Sequence, residues 1–264
     1  MTTAAELLAA HDAQLRAHVP PVLPAGETAD RVGPLVRFSG GVGRGWVLYR
    51  DLGGIEGDAL DELIASQVAY FGERGQRFEW KTYGHDLPAD LPERLLAAGF
   101  VAEEPETVVI APVDGIAGEP RLPEGVELRD ITARADLEKI DGLEAAVWAE
   151  DEDEAGYADF LESELAVDPD ALSVVVAQAG DTVVCAAWVR FLQGTEFAGF
   201  FGGATLEEWR GRGIYRATVT HRANLAAARG CRYLQTDASD DSRPILERLG
   251  FVAVTTTTPY LWSP

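Results

Sequence analysis

The sequence predicts an α/β (α+β) protein, a mixed central β-sheet flanked by helices, in two tandem copies. Three observations predict it. In the second half a run of strands precedes a strand–helix–strand crossover, and that order builds a mixed sheet. The segment Leu95-Leu96-Ala97-Ala98-Gly99-Phe100-Val101-Ala102 is echoed by Leu246-Glu247-Arg248-Leu249-Gly250-Phe251-Val252-Ala253. Between them, the Pro- and Gly-rich stretch from Ala111 to Gly125 lacks periodicity and parts two halves of similar size. The expected domains are 1–115 and 126–264, joined by a linker at 116–125.

In the first half, Trp46 to Tyr49 reads as a strand, and the glycine cluster Gly40 to Gly45 before it reads as a loop. An amphipathic helix over about 58–74 precedes a strand at 77–82. This order matches a helix at 213–229 followed by a strand at 232–236. Agreement in order as well as residues favours duplication, although short helix–Gly–Phe–strand joins also arise without it.

The second half opens with the alternating strand Val126 to Arg129. Helical patterns follow at about 134–148 and 155–166. Ser173 to Gln178 and Thr182 to Phe191 are β-rich runs joined by Ala179-Gly180-Asp181, a hairpin signal. A third strand runs from Glu196 to Ala204. The helix at 213–229 is apolar at Ile214, Ala217, Val219, Leu225 and Ala226, and Gly230 stops it. A short helix at 244–249 and closing strands at 251–256 and 259–262 complete the half.

Of 264 residues, 47% are hydrophobic, enough for a sizeable core and an ordinary soluble globular protein. Acids outnumber bases 44 to 22, a formal charge of -22. That field repels nucleic acid and anionic membranes, so neither is expected as a partner. It suits cationic small molecules or basic protein patches, or it is simply a solvated surface. Cys185 and Cys231 lie in apolar or strand-like stretches, and the four histidines are scattered. No metal site or disulfide framework is expected, and buried free thiols suit the cytoplasm. The N-terminus shows no basic start before an apolar core, so no signal peptide is expected. No apolar run approaches the roughly 20 residues of a membrane span.

The segment from Gly202 to Tyr215 reads GGATLEEWRGRGIY and lies between a strand and a helix. The first turn of a helix presents unpaired N–H groups and the positive end of its dipole. Gly211 and Gly213 let the backbone approach a ligand, and Arg210 and Arg212 add positive charge in an acidic chain. Together these features suit a pyrophosphate. The pattern is neither a P-loop, which needs Gly-Lys-Ser/Thr, nor the GxGxxG of a dinucleotide fold.

On these residues the chain resembles the GNAT acyltransferase superfamily. Its acyl-CoA signature is Arg/Gln-x-x-Gly-x-Gly/Ala, supplied here by Arg210 and Gly213, with Tyr215 where the family has a small residue. The resemblance covers about 126–264. It implies that acetyl-CoA or another acyl-CoA is the co-substrate, with a primary amine of a small molecule or protein as acceptor. It also implies that Ala204, Thr205 and Leu206 pair with the pantetheine arm, and that Gly211, Arg212, Gly213, Ile214 and Tyr215 hold the pyrophosphate beside Arg210. The acyl thioester would lie where the strand splays from its neighbour.

Many relatives protonate the leaving thiolate from a tyrosine, and Leu246 stands at that position. Ser239 replaces the asparagine of the same segment and can still bond the cofactor. Glu196 is the candidate general base, although it sits about one residue out of register. Thiolate leaves readily, so positioning alone can suffice. For the acceptor, Trp148 precedes the acidic run Glu150 to Glu154 and suits a cationic amine, unless that run is a solvated loop. The first half lacks the glycine-rich signature, leaving it the role of a lid, a homodimer surface or part of the acceptor pocket. The missing tyrosine also admits a non-catalytic acyl-CoA sensor.

Overall fold

The computed structural model describes residues 2–41, 43–147 and 156–264. The chain forms two compact units. One takes the chain up to Val109 together with Asp237–Arg243 and Ala253–Pro264. The other takes Ile110–Thr236 and Pro244–Val252.

The first unit opens with α1 (Ala4–Gln14), started by a capping box. Thr3 Oγ1 accepts from the Glu6 N–H at 3.3 Å, and the Glu6 carboxylate accepts from the Thr3 N–H at 2.7 Å. Strands β1 (Glu27–Val32), β2 (Leu35–Gly40) and β3 (Gly45–Tyr49) then pair as an antiparallel meander. Helix α2 (Gly57–Gly72) crosses over, and β4 (Phe78–Tyr83) returns parallel to β3. Leu60, Ile64 and Phe71 lie on one stripe of α2 and bury against Phe78 and Trp80. Then come α3 (Leu91–Ala97), β5 (Val101–Ala102) and β6 (Glu106–Pro112).

The second unit holds β7 (Val126–Ile131), α4 (Arg134–Val147), α5 (Tyr157–Val167), β8 (Leu172–Ala179) and β9 (Thr182–Phe191). After these come β10 (Phe197–Thr205), α6 (Ile214–Ala228), β11 (Tyr233–Ala238) and α7 (Arg243–Leu249). Strands β7 to β10 are antiparallel neighbours, and β11 pairs parallel to β10. The pleat sorts the two faces. Val174 and Val176 pack with Leu137 and Leu161 of α4 and α5, whereas Ala177 packs with Ile214 of α6.

Each unit therefore runs antiparallel strands, a crossover helix, a parallel strand and a short helix. The exits of the two short helices match in detail. The Phe100 N–H donates to the Leu95 carbonyl and the Phe251 N–H to the Leu246 carbonyl, both at 3.1 Å. These four side chains are buried.

Three outcomes differ from expectation. The closing strands at 251–256 and 259–262 are one strand, β12 (Val252–Trp262), which runs through Pro259. Pro259 is tolerated because its carbonyl accepts from the Glu103 N–H at 2.9 Å beside β5, a strand of two residues, where one missing donor breaks little pairing. β12 also pairs antiparallel with β4, Thr257 opposite Tyr83 through Trp262 opposite Phe78. Finally, α1, β1, β2 and β6 were not expected, although Thr3-Ala-Ala-Glu6 is a capping-box signature.

Candidate functional site

β10 is the strand that shapes the candidate site. It pairs with β11 only at Phe197, Ala198 and Gly199, and then runs on to Thr205 bonded to β9 alone of the two. On the β9 side Gly202 faces Ala187 and Ala204 faces Ala186, so Gly203 has no partner. This is a β-bulge, which bends the strand. Aromatic rings press on both glycines of the bulge. A Cβ on Gly202 would sit 2.5 Å from Trp188 Cζ3, and one on Gly203 would sit 2.7 Å from Tyr215 Cε2.

The end of β10 presents its backbone unequally. The Leu206 N–H is engaged by the Val184 carbonyl at 3.1 Å. Strand alternation turns the Thr205 amide groups to the opposite, open side, where the Thr205 carbonyl accepts from Arg210 Nε at 3.0 Å. Of Ala204, Thr205 and Leu206, Thr205 is thus the residue whose backbone faces the opening.

A short 3-10 turn (Glu207–Trp209) leads to Arg210, Gly211, Arg212 and Gly213, all exposed. Arg212 lies over the Trp209 ring at 4.7 Å. Gly213 is the N-cap of α6, with φ 84° that a side chain would strain, and it supplies no side-chain cap. The first turn of α6 contains no acid. Its N–H groups at Ile214, Tyr215 and Arg216 therefore form an uncapped, electropositive terminus. Ile214 is buried and anchors that terminus against Val184 and Cys185.

The sequence profile of the acetyltransferase (GNAT) family matches residues 136–251. The chain carries a GNAT acetyltransferase domain. Its solved structural neighbours agree in fold. A GCN5-related N-acetyltransferase from Kribbella flavida superposes with a TM-score of 0.66 at 16% identity, covering 100% of this chain and 96% of its own. A GCN5-related N-acetyltransferase from Sphaerobacter thermophilus gives 0.61 at 14% identity, covering 89% and 82%. A tandem GNAT protein from the clavulanic acid biosynthesis pathway gives 0.61 at 14% identity, covering 99% and 94%. No curated protein matches the sequence.

Within the GNAT domain, Tyr215 does not point away from the cradle as a misplaced bulky residue. Its ring turns under the bulge into a buried polar group that includes Cys185, Thr205, Thr218 and Arg222. Thr205 Oγ1 donates to Cys185 Sγ at 3.3 Å. Burial raises the Tyr215 phenol and the Cys185 thiol above their usual ranges, with the Arg222 charge opposing both. Arg222 itself is 1% exposed. Sequence reading passed over it because one arginine on a long helix looks like a solvated residue.

Glu196 is not brought to the cradle. It precedes β10 at the end opposite the bulge, about 30 Å along the strand from Thr205 at ~3.3 Å per residue. Its carboxylate pairs with Arg232 at 2.6 Å. The candidate base is thus an ion-pair partner that closes the far end of the strand. Ser239 lies in the segment that groups with the first unit, and its Oγ accepts from the Ser242 N–H at 3.4 Å. Leu246 is buried, Tyr233 packs on Phe197 with centroids 5.0 Å apart, and Tyr260 belongs to the first unit's core. Trp148 and the acidic run Glu150 to Glu154 lie outside the described residues. Among the described residues no helix is long and apolar enough to cross a membrane, and no cluster of His, Cys, Asp and Glu suits a metal.

Proposed function

We propose that the protein is an acyl-CoA-dependent N-acyltransferase that moves an acetyl group from acetyl-CoA to a primary amine, using one site in the second unit. The carrying observation is the uncapped, acid-free start of α6 behind the exposed run Arg210–Gly213, placed where β10 has left β11. An anion at that terminus gains N–H donors and the cations of Arg210, Arg212 and Arg216. The open Thr205 backbone suits the amides of a pantetheine arm.

In the reaction the neutral amine nitrogen attacks the thioester carbonyl carbon. The new C–N bond forms as the C–S bond breaks, the amine loses a proton to solvent, and the thiolate leaves and is protonated. The protein contributes positioning.

The first unit is, in this reading, a degenerate copy without a cradle. Its crossover helix α2 starts at Glu56 as N-cap, with Asp58 in the first turn, and these acids oppose an anion. β3 and β4 also stop pairing after Val47 and Trp80, but the strand ends are bridged. Arg16 donates from Nε to the Tyr49 carbonyl at 3.2 Å, lies 4.1 Å over the Tyr83 ring and pairs with Asp86 at 2.6 Å.

The test is calorimetry with CoA on the wild type and a Gly213→Trp variant, followed by free-thiol release from acetyl-CoA across a panel of amines. Binding lost in Gly213→Trp together with turnover supports the proposal. Binding without turnover on any amine identifies a sensor, and no binding removes the cradle.

A further inference from the structure

A β-bulge leaves backbone carbonyls without ladder partners, and something must satisfy them when they are buried. In β10 and β9 the slip lies between the pairs Gly202–Ala187 and Ala204–Ala186, and the next pair along is Phe201 facing Trp188. The carbonyls of both accept from the same nitrogen, Arg222 Nη1, at 3.1 Å each. The guanidinium reaches them from α6, one turn after Thr218, whose carbonyl accepts from Arg222 Nε at 3.2 Å. It lies 4.3 Å over the Phe200 ring.

A fully buried cation is costly unless its donors are matched. Here its described hydrogen-bond acceptors include three carbonyls, two of which belong to the facing pair Phe201 and Trp188, one pair before the bulge. An apolar residue would pack the same space at lower cost in desolvation. The arrangement makes sense when the bulge itself must be held.

We propose that Arg222 is a positioning residue for the acyl-CoA site. By gripping Trp188 and Phe201 it fixes the slip at Gly202–Ala204, and so sets which backbone groups of β10 face the open side. It acts on the pantetheine-facing strand and meets the cradle at the Tyr215 side chain, whereas the phosphate-facing N–H groups lie beyond Leu206 and are anchored by Ile214. The proposal rests on the acyl-CoA reading above.

That division gives a test in which two ligands report separately. 3′-Phosphoadenosine 5′-diphosphate carries the phosphates of CoA without the pantetheine arm. Isothermal titration of wild type, Arg222→Met and Arg222→Lys with acetyl-CoA and with this fragment separates the two regions. Arg222→Met should weaken acetyl-CoA at least about tenfold while leaving the fragment within about twofold, a loss of roughly one charge-assisted hydrogen bond's worth. Arg222→Lys keeps the cation but loses the planar fork and the Nε donor to the Thr218 carbonyl that aims it, so it should show the same selective loss in smaller degree. It also serves if the methionine variant does not fold. Hydrogen exchange of the unliganded variants should speed at Leu206, whose N–H bonds to Val184 across the same ladder.

Equal loss of both ligands would reduce Arg222 to general support and overturn the proposal, as would no loss of either. Wild type that binds neither ligand would instead defeat the acyl-CoA reading, and this proposal with it.

Discussion

Gly203 and Tyr215 are shaped for one another. The glycine has no partner on β9, holds φ at 107° and leaves no room for a Cβ, which would meet Tyr215 Cε2 at 2.7 Å. The tyrosine is a large side chain in the first turn of α6, and the missing side chain on the strand makes room for it. Gly203→Ala should therefore destabilise by about 1–3 kcal/mol, from positive-φ strain and crowding together. In a Tyr215→Ala background the crowding is gone, so the same substitution should cost measurably less. A denaturant double-mutant cycle reads the difference, and additive costs would show that the two residues do not press on each other.

Arg210 and Gly211 lie at the exposed entrance to α6, where a change disturbs little packing. Arg210→Ala combined with Gly211→Asp removes a cation and adds an anion beside the uncapped terminus. CoA affinity should fall by more than about tenfold. The thermal midpoint should fall modestly, from the positive φ of 73° at Gly211 and the lost Arg210–Thr205 hydrogen bond, and Arg210→Ala alone separates that cost from the lost affinity. An unchanged dissociation constant would place the pyrophosphate elsewhere.

The second unit's elements were legible in the sequence because each carries local punctuation. Ala179-Gly180-Asp181 marks the β8–β9 hairpin, and Gly213 and Gly230 bracket α6. Relations that join distant residues were not legible. Nothing local in β12 reveals that it pairs with β4, because register is decided by partners some 175 residues away, as in the Thr257–Thr82 hydrogen bond. The cradle was readable as Gly211 and Gly213 before a helix. Its support was not, since Arg222 matters only through carbonyls on two strands. Glu196 was misplaced for a related reason: a strand's first residue and its site-bearing end look equally close in sequence, yet lie at opposite edges of the unit.

Glu106 offers a pH test of the first unit. Burial, then repulsion from Asp237, Glu79 and Glu103, pushes its carboxyl up to about 7, with Lys81 opposing. The folded state therefore holds this proton more tightly than the unfolded chain, whose value is 4.5. Its contribution is complete below the unfolded value and disappears as pH rises through 7. Glu106→Gln should match wild type near pH 4 and exceed it by a growing margin as pH rises through 7, with the gap full near pH 8. Denaturant midpoints at the two pH values decide it, and parallel curves would mean that Glu106 is better solvated than its surroundings imply.

The two units make opposite uses of the same opening between parallel strands, and this sets the stoichiometry. In the first unit Arg16 bridges the strand ends, stacked on Tyr49 and Tyr83 and paired with Asp86, while Glu56 and Asp58 guard the start of α2. In the second, Gly213 and the acid-free first turn of α6 invite an anion. Titration should find one acetyl-CoA per chain, and Gly213→Trp should abolish it without exposing a weaker second site. Asp86→Ala should leave that single site intact. It should also lower stability, because the buried Arg16 charge is left with the longer pair to Asp12 at 4.0 Å. Two equivalents bound, or one surviving in Gly213→Trp, would show that the first unit still accepts the ligand despite its acids.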